Sequence, residues 1–181
     1  MARMGSEGVP RVLLTGRPGC GKTTAIKRAV ALIKPHSSCG FYTEEVRKGG
    51  QRIGFDVVTC DGRRAALARV GAPGPRVSRY GVDVAAFEAL AVAPLELMAC
   101  GSSRLVVIDE IGKMELLSER FVLCLDRIFA PGSEQPVLGS IMRGRHPVAD
   151  RLRHRSDVRI LPVTPDDRDS LPPRLAALFG T

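Results

Sequence analysis

The sequence predicts an α/β fold in which helices flank a mostly parallel central sheet. The first observation is a short apolar run at 9–15, which enters a glycine-rich turn and then a helix-like segment at 22–34. The second is that two later apolar runs, at 104–109 and 137–142, have the character of buried strands and are followed by helical patterns. Strands that alternate with helices in this way are typical of a parallel sheet covered by helices.

The first helix and an antiparallel hairpin are the next predicted elements. Apolar residues recur at helical spacing at Ile26, Val30 and Ile33. Two strand-like runs, 41–47 and 51–59, follow and are separated only by a Lys-Gly-Gly turn. Because no helix-length segment lies between them, these strands are predicted to pair antiparallel, as an insertion before the parallel sheet resumes.

Capping residues mark the helices of the second half. Asp83 can cap a helical stretch at 84–100, in which Pro94 should introduce a kink, and Ser118 can cap a helix at 119–129. The whole chain of 181 residues, 1–181, is predicted to form one domain. A short basic helix, a fourth buried strand and a final helix complete the pattern at 146–155, 158–164 and 166–180.

The composition is strongly basic. The net charge is +8 and the pI is about 9.8, and 22 of the 27 basic residues are arginine. Such a balance suits an anionic partner, including nucleotide phosphates and nucleic acid, and it is equally compatible with an arginine-rich solvated surface. Both interpretations are open at this point.

Cysteine usage and hydropathy predict an intracellular protein. The five cysteines are odd in number and include no Cys-x-x-Cys pair, so neither a disulfide framework nor a zinc site is expected. The N-terminal segment lacks the apolar core of a signal peptide, and no apolar run approaches the ~20 residues of a membrane span. We therefore expect a monomer in the reducing cytoplasm, without a membrane partner.

The glycine-rich turn matches a phosphate-binding pattern in full. It reads GRPGCGKT, which fits G-x-x-x-x-G-K-[ST] between a buried strand and an amphipathic helix. Its glycines allow backbone N–H groups to converge on phosphate oxygens at the positive end of the helix dipole. Lys22 is expected to reach the β- and γ-phosphates, and Thr23 to ligate Mg²⁺. The nucleotide-binding residues predicted from this loop are Gly16, Arg17, Pro18, Gly19, Cys20, Gly21, Lys22 and Thr23.

Cys20 has two possible roles within the loop. A thiol at a helix N-terminus can have a lowered pKa and be reactive. A small side chain that fills the space under the loop is the alternative, and it is the favoured one.

Paired carboxylates end the strand at 104–109, where the sequence reads VVIDEIGKMEL. A carboxylate in this place supports the Mg²⁺ of P-loop enzymes, so Thr23 and Asp109 are the predicted metal ligands. The next side chain, Glu110, should point differently because strand side chains alternate, and it can serve as the base that activates water. The alternative for Glu110 is an acid placed favourably at a helix N-terminus. Lys22 and Glu110 are the predicted catalytic residues, and Asp109, Glu110 and Gly112 join the nucleotide-binding set.

Four segments together resemble a known family. TGRPGCGKTT, GFYTEEVR, RIGFDVVT and VIDEIGKMEL occur in the order seen in the nucleoside-triphosphatases first known from thermophiles, with wording closest to the eukaryotic, cancer-related members. The resemblance covers nearly the whole chain. It implies a RecA-like P-loop fold and Mg²⁺-dependent hydrolysis of several nucleoside triphosphates to diphosphate and phosphate. The segment SIMRGRHP departs from the family wording, and no family role is carried onto it.

Two features of the sequence predict that the site accepts several bases. The chain contains no Asn, so the N-K-x-D clamp of guanine-specific GTPases cannot form. The hairpin segment GFYTEE could supply a wall for the base, with Phe41 or Tyr42 available to stack, since stacking tolerates every base. Core packing is at least as good an interpretation for either aromatic residue. Candidates for an arginine that stabilises the transition state are Arg17, Arg47, Arg143 and Arg145.

Two rival functions remain. A small-molecule or nucleoside kinase would use the same phosphate loop and would need a water-excluding lid, for which the basic helix is a candidate. A nucleic-acid-stimulated ATPase could use the run 143–159, which holds six Arg and two His. That run has no aromatic residue to stack on bases, so nucleic acid is possible but not favoured as a partner.

Overall fold

The computed structural model describes residues 9–33, 38–98, 104–167 and 169–180. Nine strands in these ranges form one sheet, and helices lie on both of its faces. The strands are β1 (Arg11–Thr15), β2 (Ser38–Lys48), β3 (Gln51–Thr59), β4 (Arg64–Val70), β5 (Arg76–Val77), β6 (Tyr80–Val82), β7 (Leu105–Ile111), β8 (Val137–Ile141) and β9 (Arg159–Pro162). The helices are α1 (Lys22–Leu32), α2 (Val84–Phe87), α3 (Ala93–Met98), α4 (Glu119–Ile128), α5 (Pro147–Arg153) and α6 (Leu171–Leu178).

The sheet has a parallel half and an antiparallel half. The strand order is β5-β6-β4-β3-β2-β7-β8-β1-β9. The five strands from β2 to β9 in this order pair in parallel, and β3, β4, β6 and β5 continue the sheet in antiparallel pairing. Strand β8 therefore lies between β1, which leads into the phosphate loop, and β7, which carries the paired acids. This order brings the carboxyl ends of all three strands to one edge of the sheet.

Two apolar cores lie on opposite faces of this sheet. Leu13 belongs to one core and Leu14 to the other, as strand alternation requires. The first core contains an aromatic group in which Phe41, Phe87 and Phe121 meet edge to face at centroid distances of 5.2–5.8 Å. The second core is built between the sheet, α1 and α6, mainly from aliphatic residues, and it includes Tyr42. Most of the aromatic side chains therefore lie in the first core.

The predicted α/β fold and its antiparallel hairpin are confirmed. Strand β2 pairs with β3 as expected, and it also pairs in parallel with β7, so the hairpin is continuous with the central sheet. Strands β4, β5 and β6 were not predicted, because the alternation of apolar residues in them is weak and loops interrupt it. The last two residues of the helix predicted at 84–100 lie outside the described residues.

Pro94 interrupts the regular helix that packs on the first core. Helical structure runs from Val84 to Met98, and residues Glu88–Val92 form a π-helical turn directly before Ala93 and Pro94. Proline lacks the N–H that a regular helix needs at this point, so the wider turn accommodates it. Within the described residues, none of the helices combines the length and the apolar character required to span a bilayer.

The cap at Asp83 gives a test of this helix start. Its side chain accepts a hydrogen bond from the backbone N–H of Ala86 at 2.9 Å, and the residue is exposed. We expect Asp83→Ala to lower the free energy of unfolding by about 0.5–2 kcal/mol. Asp83→Asn keeps the acceptor and should unfold close to the unaltered protein in equilibrium urea titrations. Equal losses in the two variants would contradict a capping role.

Candidate active site

The phosphate loop joins β1 to α1 in a tight curve. Gly21 directly precedes the helix with a φ of 105°, a conformation that residues with a side chain rarely adopt. Gly16 needs the absence of a side chain for a different reason. An added Cβ there would lie 2.6 Å from Cys20 Sγ and 2.8 Å from the carbonyl oxygen of Val163. The Cys20 sulfur therefore fills the space under the loop, which supports its interpretation as a small packing residue.

Lys22 is folded back over the loop that precedes it. Its Nζ donates to the carbonyl oxygens of Gly16, at 3.2 Å, and Arg17, at 3.4 Å. The residue is only 9% exposed, so its ammonium group is largely shielded from solvent within the site. Its positive charge also acts on the paired acids, since it opposes the rise in pKa of both Asp109 and Glu110.

Asp109 joins the loop helix to two strands. Thr23 Oγ1 donates to Asp109 Oδ2 at 2.5 Å, and Ser140 Oγ donates to Asp109 Oδ1. Asp109 is 1% exposed, and burial raises the pKa of its carboxyl group, against the two hydroxyl hydrogen bonds and the charge of Lys22. The predicted pair of metal ligands, Thr23 and Asp109, is therefore in direct contact. Sequence reasoning missed Ser140, although a lone hydroxyl in the apolar run VLGSIM was an available signal.

The regular strand alternation that was expected to direct Glu110 away from Asp109 does not hold at the end of β7. Ile108 and Ile111 both lie in the first core, and the pairing of β7 with β8 is irregular between these residues. The Asp109–Glu110 peptide bond is cis. Glu110 is half-buried, and burial is the main cause that raises the pKa of its carboxyl group, which Lys22 opposes and the charge of Asp109 reinforces.

A cavity of about 560 Å³ lies beside the phosphate loop. One wall is the loop itself with Arg17 and Pro18, and the other is the segment 162–165 after β9. Arg143, just after β8, also lines it. Pockets of this size accommodate small organic ligands such as nucleosides.

The aromatic residues of the hairpin do not line this cavity. Phe41 is fully buried in the aromatic group of the first core, so the suggestion that it stacks on a base is wrong. Tyr42 is 8% exposed in the second core, and the Lys27 Nζ lies 5.1 Å from its ring centroid. Core packing is thus the role of both side chains. Lys27 also pairs with Glu44, and hydrogen bonding from Lys27 is the largest cause that lowers the pKa of Glu44.

The four candidate arginines now separate into two groups. Arg47 pairs with Glu45 at 2.7 Å on the hairpin, and Arg145 is 95% exposed and lies 3.5 Å from Asp150. Arg17 and Arg143 line the cavity, and in the described part of the chain neither contacts a carboxylate. Only these two are placed to meet a bound anion.

Arg153 fastens the segment that carries Arg143. Its guanidinium donates to the carbonyl oxygens of Met142 and of Gly144, the latter at 3.0 Å, and pairs with Asp150 at 2.7 Å. This positioning could not be read from the sequence, because it joins a helix to a preceding loop through backbone acceptors. Arg153 is thus a structural member of the site.

Lys113 and Glu115, which follow the paired acids in the chain, differ in their burial. Lys113 is exposed, and Glu44, a carboxylate on the hairpin, pairs with Lys27 and Arg64. Glu115 is 5% exposed, and burial raises the pKa of its carboxyl group to about 8, with smaller contributions from the charges of Glu110 and Asp109. Gly112 lies between these acids, and its backbone N–H lowers the pKa of Glu115.

Known proteins resemble this chain over most of its length. A family model described as NTPase matches residues 11–176. Nucleoside-triphosphatase THEP1 of Thermotoga maritima is 42% identical over 162 residues, which cover 89% of this chain and 90% of that protein. The human cancer-related nucleoside-triphosphatase is 45% identical over 178 residues, which cover 90% of this chain and 92% of that protein.

Solved structures agree with the sequence matches. The crystal structure of THEP1 from the hyperthermophile Aquifex aeolicus aligns with a TM-score of 0.83 at 31% identity and covers 94% of this chain and 99% of that one. The solution structure of a human cancer-related nucleoside triphosphatase aligns with a TM-score of 0.78 at 41% identity, covering 95% and 98%. With a phosphate loop joined through Thr23 to the acid that ends β7, and with relatives this similar over nine-tenths of the chain, the protein belongs to the THEP1 and cancer-related nucleoside-triphosphatase family.

Proposed function

We propose that the protein hydrolyses nucleoside triphosphates of several bases to nucleoside diphosphate and phosphate, in a reaction that needs Mg²⁺. The observation that carries the proposal is the 2.5 Å contact between Thr23 Oγ1 and Asp109 Oδ2. It places a hydroxyl and a carboxylate together beside the phosphate loop, with the second acid, Glu110, next to them in the chain. This arrangement supports the proposal that phosphate binding, metal support and a general base belong to one site.

The residues present fit Mg²⁺. Mg²⁺ prefers few protein oxygen ligands and keeps phosphate and water oxygens, and Thr23 and Asp109 offer such a pair. In the described part of the chain no cluster of three His, Cys, Asp or Glu side chains could hold a metal without other ligands, which suits an ion that arrives with phosphate. When bound, the ion would neutralise developing charge on the phosphate oxygens.

The chain's own groups can carry the remaining steps. Backbone N–H groups of the loop and the Lys22 amine bind the β- and γ-phosphates. Glu110 accepts a proton from a water that attacks the γ-phosphorus, and the bond from that phosphorus to the oxygen bridging it to the β-phosphate breaks, releasing nucleoside diphosphate and phosphate. A pKa raised by burial suits a carboxylate to this role, because a stronger base takes the proton more readily.

The cavity supports broad base specificity. Its lining includes Arg17, Arg143 and the proline-rich segment 162–165, and none of its described residues is an acid or an amide. Apolar walls and guanidinium planes contact the faces of a base, which all bases share.

The two rival functions find less support. Arginines of the basic helix and the turn after it are held by acids, with Arg151 on Asp126, Arg153 on Asp150, and Arg155 on Asp157. Paired arginines are less available to nucleic acid phosphates. The clamp from Arg153 to the loop before it also argues against α5 as a freely closing kinase lid.

Removing the lysine tests phosphate binding. We expect Lys22→Ala to lower kcat/KM for ATP by at least about 10²-fold, because a charged donor at the reacting phosphates is lost. Phosphate release under steady-state conditions measures this. Lys48→Ala, on the exposed end of the hairpin, is the matched control and should retain normal turnover. Normal turnover by Lys22→Ala would contradict the assignment.

Removing the base separates binding from chemistry. Glu110→Gln should keep the affinity for ADP within about threefold and lose about 10²–10⁴-fold in kcat, since the amide cannot accept the proton from water. Glu119→Gln, an exposed acid at the start of α4, is the control. Hydrolysis at the unaltered rate would show that the base lies elsewhere.

Base specificity is tested with a panel of substrates. We expect kcat/KM for ATP, GTP, CTP and UTP to agree within about tenfold, because stacking interactions differ little between bases. Parallel reactions with RNA or DNA added at ~150 mM salt should show no stimulation. A hundredfold preference for one base, or stimulation by nucleic acid, would overturn the corresponding part of the proposal.

A further inference from the structure

Glu115 is buried without a basic partner. The side chain is 5% exposed, and in the described part of the chain no Lys, Arg or His forms an ion pair with it. Glutamate is almost never this buried unless it is paired. The residue begins the short 3₁₀ turn Glu115–Leu117 that follows the paired acids. Its burial therefore needs a reason other than charge pairing.

Its carboxyl group lies against the turn that carries Glu110. A Cβ added at Gly112 would be 2.8 Å from Glu115 Oε2, and it would be 3.5 Å from Cγ and 3.6 Å from Cδ of Glu110. The two glutamates thus meet at the same glycine. The backbone N–H groups of Gly112 and of Glu115 itself lower the pKa of the Glu115 carboxyl group, as donors near its charged form do.

Further backbone hydrogen bonds close this turn. The N–H of Leu116 donates to the carbonyl oxygen of Gly112 at 3.0 Å. The N–H of Met142 donates to the carbonyl oxygen of Ile111 at 3.1 Å, which fixes the start of the turn to the end of β8. These bonds hold the turn in which the buried Glu115 side chain lies, with its Oε2 against Gly112.

We propose that Glu115 is a positioning residue for hydrolysis, whose buried carboxyl oxygens fasten the turn after β7 and thereby fix the direction of Glu110. The inference rests on the proposed role of Glu110 as the base. Glu115 itself does not touch the substrate in this scheme. Its effect on turnover is exerted through the turn at Gly112, which determines the position of Glu110.

Stability alone gives no reason for a carboxyl group at this position. An apolar side chain of the same length would fill the space without the cost of burying a polar group. The charges of Glu110 and Asp109 also disfavour an ionised third acid nearby. What the carboxyl group adds is hydrogen-bond acceptors for the turn. Displacement of a catalytic group by about 1 Å can cost ~10²-fold in rate, so such acceptors matter for turnover.

The decisive comparison is between Glu115→Met and Glu115→Gln. Both side chains have similar length, and only glutamine retains an oxygen that accepts the backbone N–H bonds. We expect Met to lower kcat for ATP by about 10–100-fold while the Kd for ADP stays within about threefold. Gln should keep kcat within about threefold of the unaltered protein. Single-turnover phosphate release and calorimetric ADP titration measure the two quantities.

The same substitution is then made in a Glu110→Gln protein. If Glu115 acts through Glu110, Met should change the residual rate by less than about twofold, because interacting residues are non-additive. A further loss equal to that seen with Glu110 present would overturn the inference, since Glu115 would then act independently. A normal kcat in Glu115→Met would also overturn the inference. So would a loss of kcat in Glu115→Gln as large as the loss in Glu115→Met.

The outcomes separate this inference from the function on which it rests. If Glu110→Gln alone hydrolyses ATP normally, the base assignment fails and the inference falls with it. If Glu110→Gln is inactive and Glu115→Met is fully active, only the inference fails. Should Glu115→Met not fold, Gly112→Ala replaces it, because its Cβ would meet Glu115 Oε2 at 2.8 Å and displace the carboxyl group. It should lower kcat with the same dependence on Glu110, and unchanged turnover would overturn the inference.

Discussion

The carboxylate of Asp109 holds the site together. It accepts one hydroxyl hydrogen bond from Thr23 at the start of α1 and another from Ser140 near the end of β8. A carboxylate that is 1% exposed would be very unfavourable without such donors. The same two bonds tie the first turn of the loop helix to the edge of the sheet. The placement of the phosphate loop, and the metal support proposed for the site, therefore depend on one buried side chain.

Strand order makes that contact possible. Because β8 lies between β1 and β7, the end of the acidic strand faces the helix that follows β1 across a single intervening strand. Ligands of open α/β sheets bind outside the carboxyl ends of the strands, and all of the proposed catalytic groups lie at this edge. Arg143 reaches the same edge from the end of β8 and is held there through Arg153. The loops of three strands thus converge on one small volume.

Two further acids lie in the frame around Asp109 and Glu110. Glu44 pairs with Lys27 on the loop helix and with Arg64 on the antiparallel half of the sheet, so it links that half to the site. Glu115 is buried against Gly112 in the turn after β7. Both belong to segments that carried the family resemblance, GFYTEEVR and DEIGKMEL. Their placement indicates that these segments shape the site's support as well as its chemistry.

The sequence by itself determined the phosphate loop, the strand and helix that flank it, and the acids that end β7. These are local features, since glycine spacing, apolar periodicity and capping residues such as Asp83 act within a few positions of one another. It did not reveal the extent of the antiparallel half, because short strands with weak alternation depend on their neighbours for stability. It also suggested a wrong wall for the base, because an aromatic residue has the same local signal in a core as in a binding site.

Only the tertiary structure decided how distant residues meet. Ser140 and Arg153 entered the site through contacts with residues 31 and 9–11 positions away in the chain, which no local pattern specifies. The four candidate arginines were equivalent in sequence and became distinct once their acid partners were placed. Burial likewise separated Asp109 and Glu115 from exposed acids such as Glu119. Each of these decisions depends on packing between elements, so it could not be read from spacing along one segment.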